Sequence, residues 1–217
     1  MRIKILEELM PFEAKLIAVS KTKPVSMIQA MYDQGQRIFG ENRVQELVSK
    51  NDALPKDIEW HLIGHLQTNK VKYIAPFVSM IHAVDSTKLL KEINKQAKNQ
   101  ERKIPCLLQV KIAEESTKYG FSRQEIFSLL ASGIHHQLSH VEIHGIMGMA
   151  TFTDDMSQVR KEFRFLKSVF EELRLKHFID DPSFQEISMG MSGDYHIALE
   201  EGSTMVRIGS LLFGSRS

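Results

Sequence analysis

Short apolar segments alternate with longer amphipathic segments along the whole chain. The short segments are rich in Val, Ile or Leu and show little polar alternation, which is typical of strands buried on both faces. The predicted strands are Leu16–Lys21, Arg37–Phe39, Glu59–Leu62, Val78–His82, Ile104–Lys111, Val141–Met147, Gln185–Met189 and Thr204–Ile208.

Helical signals lie between the predicted strands. Periodic apolar stripes and terminal signals predict helices over 25–34, 86–99, 155–175 and 193–201. Two capping boxes are expected, at Asn42 with Gln45 and at Ser122 with Glu125. We assign the apolar stripes to core packing rather than to a cofactor site.

The order of these elements predicts the fold class. Strands that alternate with helices indicate parallel βαβ units. With eight repeats, a closed (β/α)₈ barrel is the leading prediction, and the 217 residues lie within its compact range. A doubly wound open sheet is the alternative. The sequence contains no Gly-, Ser- or Pro-rich linker, so we predict a single α/β domain over 1–217.

Composition narrows the class of protein. Lys and Arg number 28 and Asp and Glu 27, so the net charge of +1 does not favour nucleic acid as a partner. The single cysteine, Cys106, excludes an internal disulfide and favours a reducing compartment. No segment approaches the roughly 18 apolar residues of a membrane span, and acidic residues interrupt the N-terminal stretch. We therefore expect a cytoplasmic protein with neither membrane nor nucleic acid as a partner.

The two loops after the last predicted strands have the composition of an anion site. In a barrel of this class, a phosphate site commonly forms after strands seven and eight. The loops here read SMGMSGD and VRIGS. Ser192 is expected to cap the helix over 193–201, and Ser210 adds a hydroxyl. Three glycines would let backbone amides approach an anion, namely Gly190, Gly193 and Gly209. The alternative is a pair of ordinary turns with a capping serine.

The segment LIAVSKTKP brings a lysine to the end of the first predicted strand. Burial at that end would lower the pKa of Lys21 and make its amine a nucleophile toward carbonyl carbon. Beside a phosphate site, this predicts a phosphorylated aldehyde as ligand, either pyridoxal 5′-phosphate (PLP) or a sugar phosphate. Lys21 and Lys23 lie on one face of a strand, so spacing does not choose between them. An ordinary surface lysine is the alternative.

Arg207 is expected at the end of the eighth strand, two residues before Gly209. PLP proteins tune the cofactor through the partner of its pyridine nitrogen, which is a carboxylate or a cation. An arginine there would leave that nitrogen unprotonated and weaken the ring as an electron sink. The alternative is an ion pair at the barrel rim.

The spacing of the histidines and the absence of several short motifs argue against a metal site, nucleotide hydrolysis and serine hydrolase chemistry. His61 and His65 flank a strand end and a glycine, so helical metal-ligand spacing does not apply, and we interpret them as hydrogen-bonded structural residues. HExxH, a Walker loop and a GxSxG elbow are all absent from the sequence.

Five motifs together resemble the pyridoxal phosphate homeostasis (YggS/PROSC-like) protein family. They are AVSKTKP, FGENRVQE, WHLIGHLQTNK, SMGMSGD and GSTMVRIGSLLFG, and they extend from about Leu16 to Gly214. The family is similar to the N-terminal barrel of alanine racemase, which is fold-type III among PLP proteins.

The resemblance implies a role for each candidate residue. Lys21 would hold PLP as a Schiff base, with Lys23 as a neighbouring basic residue, and Arg207 would face the pyridine nitrogen. The phosphate would be bound by Ser192, Gly209 and Ser210. The remaining pocket residues would be Asn42 and Met191. PLP-dependent client enzymes are the further partners that the resemblance implies.

Three functions are compatible with these residues. A PLP carrier that supports vitamin B6 homeostasis without efficient turnover is favoured. An amino-acid racemase needs a second base, which racemases take from a tyrosine of a C-terminal β domain. The sequence ends three residues after Gly214, so we expect that domain to be absent and the protein to be a monomer. A sugar-phosphate aldolase or isomerase lacks an evident acid/base carboxylate at a strand end.

Overall fold

The strands form a closed parallel barrel. The computed structural model describes residues 2–113 and 119–214. In that part of the chain each strand pairs with the next one, and the eighth pairs back with the first. The strands are β1 (Lys15–Val19), β2 (Ile38–Glu41), β3 (Glu59–Leu62), β4 (Met80–Val84), β5 (Ile104–Gln109), β6 (Val141–Met147), β7 (Glu186–Met191) and β8 (Met205–Ile208). The (β/α)₈ prediction is confirmed, and the open sheet is excluded.

Helices surround the barrel and connect consecutive strands. They are α1 (Arg2–Leu9), α2 (Val25–Asp33), α3 (Val44–Ala53), α4 (Val71–Ile74), α5 (Thr87–Asn99), α6 (Arg123–Ala131), α7 (Met156–His177), α8 (Tyr195–Glu200) and α9 (Ser210–Phe213). Short 3₁₀ helices occupy Met10–Phe12, Thr68–Lys70 and Ile134–Gln137. None of the helices within 2–113 and 119–214 is both long enough and apolar enough to cross a bilayer.

One of the two expected capping boxes is present. Ser122 and Glu125 cap α6 reciprocally, as the sequence predicts. The box at Asn42 is wrong, because α3 begins at Val44 and its N-cap residue, Arg43, has no side-chain capping bond. Asn42 lies instead in the turn between β2 and α3, next to Gly64.

Alternation along the strands divides the apolar core into an inner and an outer part. On β1, Ile17 and Val19 pack inside the barrel with residues such as Met147 and Met205. Leu16 and Ala18 point outward against the helices. Because side chains alternate between faces with a period of two, Arg207 on β8 points inward as Met205 does. Polar side chains near the carboxyl ends of the strands, such as Arg207, therefore point into the barrel interior.

Candidate functional site

A cavity of about 520 Å³ opens at the carboxyl ends of the strands. Its lining comes from the loops after β1, β2, β3, β6, β7 and β8. The structure brings every candidate residue to this one cavity: Lys21, Asn42, Met191, Ser192, Arg207, Gly209 and Ser210. These residues are far apart in the sequence and meet because all parallel strands end at the same face of the barrel.

Lys21 lies in a turn just beyond β1 and not within the strand. The expectation of a strand through Lys21 is wrong by two residues, because β1 ends at Val19. Thr22 adopts a left-handed φ of +66°, and the Lys23 amide donates to the Ser20 carbonyl at 3.0 Å. This turn ends the strand and leaves Lys21 half-buried instead of fully desolvated.

Lys23 also lines the cavity, so the geometry does not by itself select one lysine. Its ammonium group donates to the carbonyl oxygens of Phe213 and Gly214, each at 3.2 Å. These bonds tie the β1 turn to the end of α9.

Arg207 is a buried cation at the base of the cavity. Its side chain is only 4% exposed, and Nη1 donates to Ser188 Oγ at 2.6 Å while Nη2 donates to the Gly148 carbonyl at 3.1 Å. Burial lowers the pKa of Arg207 to about 10, so the guanidinium remains charged at neutral pH. Both bonds go to uncharged acceptors inside the barrel, in contrast to the alternative prediction of an ion pair at the rim.

A chain of hydrogen bonds continues from Arg207 into the barrel interior. Ser188 Oγ lies 2.9 Å from His82 Nδ1, and His82 Nε2 lies 2.8 Å from His61 Nδ1. Because a guanidinium can only donate, Ser188 Oγ accepts from Arg207, and the same oxygen bonds to His82, which bonds in turn to His61. We call these three residues, Ser188, His82 and His61, the relay.

Both relay histidines are neutral at physiological pH. Burial lowers the pKa of His61 to about 3, and burial together with the adjacent His61 and Arg207 holds that of His82 well below its usual value. The relay therefore adds no charge beside Arg207, while its hydrogen bonds fix the orientation of the guanidinium.

His61 and His65 are both hydrogen-bonded, as the sequence predicts. His61 bonds to His82, and His65 Nδ1 lies 2.8 Å from the Asp85 carboxylate. Sequence analysis missed the link from His61 to Arg207. Polar residues within apolar strands could have indicated this link. They are His82 in β4 and Ser188 in β7.

The loops after β7 and β8 meet at the side of the cavity expected to bind phosphate. The Gly209 amide donates to Ser192 Oγ at 3.3 Å. A Cβ on Gly209 would lie 3.1 Å from the Val19 carbonyl, so glycine lets the end of β8 approach β1 closely. Ser210 follows as the first residue of α9 and is exposed.

One expectation about the SMGMSGD loop is wrong. α8 begins at Tyr195, so its N-cap is Asp194 and not Ser192, and the Asp194 carboxylate accepts from the Met191 amide at 2.5 Å. Gly193 lines the cavity, and a Cβ on it would meet no protein atom within 4 Å. Gly190 does require glycine, because its φ is +93° and a Cβ would lie 2.6 Å from that of Ala198.

Asn42 and Met191 both line the cavity. The backbone of Asn42 packs against Gly64, where a Cβ would lie 2.6 Å from the Asn42 carbonyl oxygen. This contact holds Asn42 at the end of β2. Met191, 37% exposed, ends β7 at the cavity mouth.

Comparison with known proteins places the chain in a family. The family model for the N-terminal domain of alanine racemase matches residues 1–217. A pyridoxal phosphate homeostasis protein of Aquifex aeolicus is 40% identical over 204 residues, which cover 94% of this chain and 87% of that protein.

Two solved structures of PipY from Synechococcus elongatus have the same fold. The structure without PLP has a TM-score of 0.91 at 35% identity, and the structure with PLP bound has a TM-score of 0.87 at 34% identity. In both, the match covers 98% of this chain and 98% of PipY. Together with the barrel and its cavity, these similarities show that the chain belongs to the pyridoxal phosphate homeostasis protein family, within the alanine racemase N-terminal domain fold.

Proposed function

We propose that this protein binds PLP in the cavity at the carboxyl ends of its strands and takes part in the homeostasis of that cofactor. The observation that carries the proposal is the buried Arg207 guanidinium, held at the base of the cavity that Lys21 also lines. The name of the Aquifex relative and the PLP bound in one PipY structure support the choice of ligand.

The chemistry of the residues around the cavity fits PLP. A lysine amine matches the aldehyde, and hydroxyls at Ser192 and Ser210 with the Gly209 amide between them match the phosphate. Two of the five guanidinium N–H groups of Arg207 bond to Ser188 and Gly148, which leaves donors for the pyridine nitrogen. When bound, PLP would supply an aldehyde and an electron-withdrawing ring, the latter weakened by an unprotonated nitrogen.

We assign the covalent attachment to Lys21, with Asn42 and Met191 as neighbouring contacts. The Lys21 amine would add to the aldehyde carbon and water would leave, so that a C=N bond replaces the C=O bond and a Schiff base forms. Lys23 would remain a neighbouring basic residue, because its ammonium group already donates to the end of α9.

We further propose that the bound cofactor is stored rather than used for turnover. A racemase requires a second base opposite the lysine. The four tyrosines have other contacts: Tyr32 bonds to Asp57, Tyr195 to Glu8, Tyr119 stacks on His65, and Tyr73 lies beside Lys70 and Lys72. These contacts favour a carrier over a racemase.

The proposal extends to the cellular location, the domain organisation and the partners of the protein. We propose a cytoplasmic location, since the single cysteine, Cys106, is buried and unpaired. We also propose a single PLP-binding domain over 1–217 that acts as a monomer, with PLP-dependent enzymes as recipients.

The test is an absorbance titration of the protein with PLP, followed by borohydride reduction and peptide mass spectrometry. We expect a visible absorbance band and a reduced pyridoxyl group on Lys21. Lys21→Ala should abolish the trapped product, while the control Lys23→Ala should retain it. Absence of a band at excess PLP would refute the proposed ligand. Rapid racemisation of added L-alanine would refute the carrier assignment.

A further inference from the structure

One buried ionic cluster holds the backbone on both sides of Lys21. It consists of Glu41, Glu46 and Lys50, which we call the turn clamp. Glu41 ends β2 and is fully buried, while Lys50 on α3 is only 4% exposed. Glu46 lies in the first turn of α3 and is partly exposed.

Lys50 connects the turn clamp to the residue before Lys21. Its ammonium group donates to Glu41 Oε1 at 2.7 Å, to Glu46 Oε1 at 2.6 Å and to the Ser20 carbonyl at 2.8 Å. These bonds use all three of its N–H donors. The Ser20 hydroxyl also donates to Glu41 Oε1, at 2.5 Å. Ser20 is therefore held through both its backbone and its side chain.

Glu46 binds the residue after Lys21. Its Oε1 accepts a hydrogen bond from the Thr22 amide at 2.6 Å. Thr22 has a φ of +66°, in the left-handed region that residues other than glycine seldom adopt. A charge-assisted hydrogen bond thus stabilises the backbone conformation that directs the chain away from β1 directly after Lys21.

Stability alone does not explain the turn clamp. Apolar side chains of similar size often stabilise a core as well as, or better than, buried ions. Glu41 Oε2 is buried and has no hydrogen-bond partner in the part of the chain that the structure describes, and burial raises the pKa of this carboxyl group. Costly polar arrangements of this kind are typical of functional sites.

We propose that Glu41, Glu46 and Lys50 are positioning residues that hold the Lys21 turn, so that the amine meets an aldehyde carbon in reactive geometry. This inference rests on the proposed function, because it concerns the step that attaches PLP. The turn clamp does not line the cavity within the described residues. It therefore acts on the reaction rate through the backbone of Ser20 and Thr22.

The experiment compares Glu46→Ala with the conservative variant Glu46→Gln. Glu46 is preferred to its buried partners because its partial exposure lets the protein fold without it. Glu171→Ala is the matched control, since Glu171 is also a helix glutamate paired with a lysine four residues away, but it lies on α7. Three quantities are measured: the rate of covalent attachment of PLP, the affinity for pyridoxine 5′-phosphate, and hydrogen exchange of the Thr22 amide without ligand.

Pyridoxine 5′-phosphate carries an alcohol in place of the aldehyde. Its affinity therefore measures binding in the pocket without the covalent reaction. In Glu46→Ala we expect attachment to slow at least about tenfold, as for loss of one hydrogen bond to a charged group. Affinity for pyridoxine 5′-phosphate should be unchanged. Glu46→Gln keeps an oxygen acceptor for the Thr22 amide and should react within about threefold of wild type. The Glu171→Ala control should match wild type in every measurement.

Two outcomes would overturn the inference. One is attachment at the wild-type rate in Glu46→Ala, and the other is a parallel loss of pyridoxine 5′-phosphate affinity, which indicates a general structural role. Failure of the proposed function is distinguishable, because wild type itself would then not attach PLP. Exchange of the Thr22 amide would still test the clamp: faster exchange in Glu46→Ala supports it, and unchanged exchange contradicts it.

Discussion

Replacing His61 tests whether the relay is neutral and buried as the structure describes. Asparagine is a suitable replacement, because its side-chain amide offers both a donor and an acceptor near the position of Nδ1 and so keeps a hydrogen bond to His82. Stability should fall at every pH, since the smaller side chain leaves a gap in the barrel interior. The informative quantity is the change of stability with pH, and not its absolute value.

The expected pH dependence follows from the pKa of His61, which is about 3 in the folded protein against an ordinary value of 6.5. Below pH 6.5 the unfolded chain binds a proton at this position and the folded protein does not, so falling pH favours unfolding. The stabilisation is complete above pH 6.5 and is lost progressively as pH falls toward 3. For a shift of this size, His61 accounts for a loss of about 2 kcal/mol between pH 8 and pH 5.

The assay is urea unfolding of wild type and His61→Asn at a series of pH values from 8 to 5. We expect the wild type to lose about 2 kcal/mol more than the variant over this range, since only His61 has been removed from the titration. His196→Asn is the control, because the His196 side chain is 64% exposed. Parallel stability curves for wild type and His61→Asn would refute the description of His61 as a buried neutral residue.

Further predictions concern glycines whose backbone positions exclude a side chain. Gly145→Ala should prevent folding, because φ is +153° and the new Cβ would lie 1.8 Å from the Glu186 carbonyl oxygen. Gly133→Ala, with φ of +69° but open space around it, should cost only about 1–2 kcal/mol in thermal unfolding. Gly64→Ala should displace Asn42 and weaken PLP binding about tenfold while the fold remains, as absorbance titration and circular dichroism would show.

The sequence pattern located each strand of the described part of the chain, and two of them at both ends. The bounds predicted for β3 and β6 agree with the structure at both ends. The prediction for β1 was too long, because hydrophobicity does not reveal the left-handed conformation of Thr22. The capping box at Asn42 failed for a related reason: spacing alone cannot show that a turn residue is held by Gly64 from another loop.

The cavity residues were predictable because position along a strand determines which end of the barrel a residue reaches. Three of these residues lie at or next to the end of a strand, namely Lys21, Ser192 and Arg207. The parallel topology alone therefore brings them together. The relay and the turn clamp were not predictable in this way. Whether Ser188 meets His82 depends on the relative register and tilt of β4 and β7, which a single sequence does not reveal.

Arg207 and the turn that carries Lys21 are held by different physical means. Arg207 is fixed from below by a neutral chain of hydrogen bonds, which leaves its charge undiminished at the cavity base. The turn that carries Lys21 is held from the side by an ionic cluster that binds Ser20 and Thr22. The proposed role of the turn clamp predicts that apolar replacement of its residues stabilises the fold while slowing covalent attachment of PLP, a trade-off expected where polar groups are buried for function.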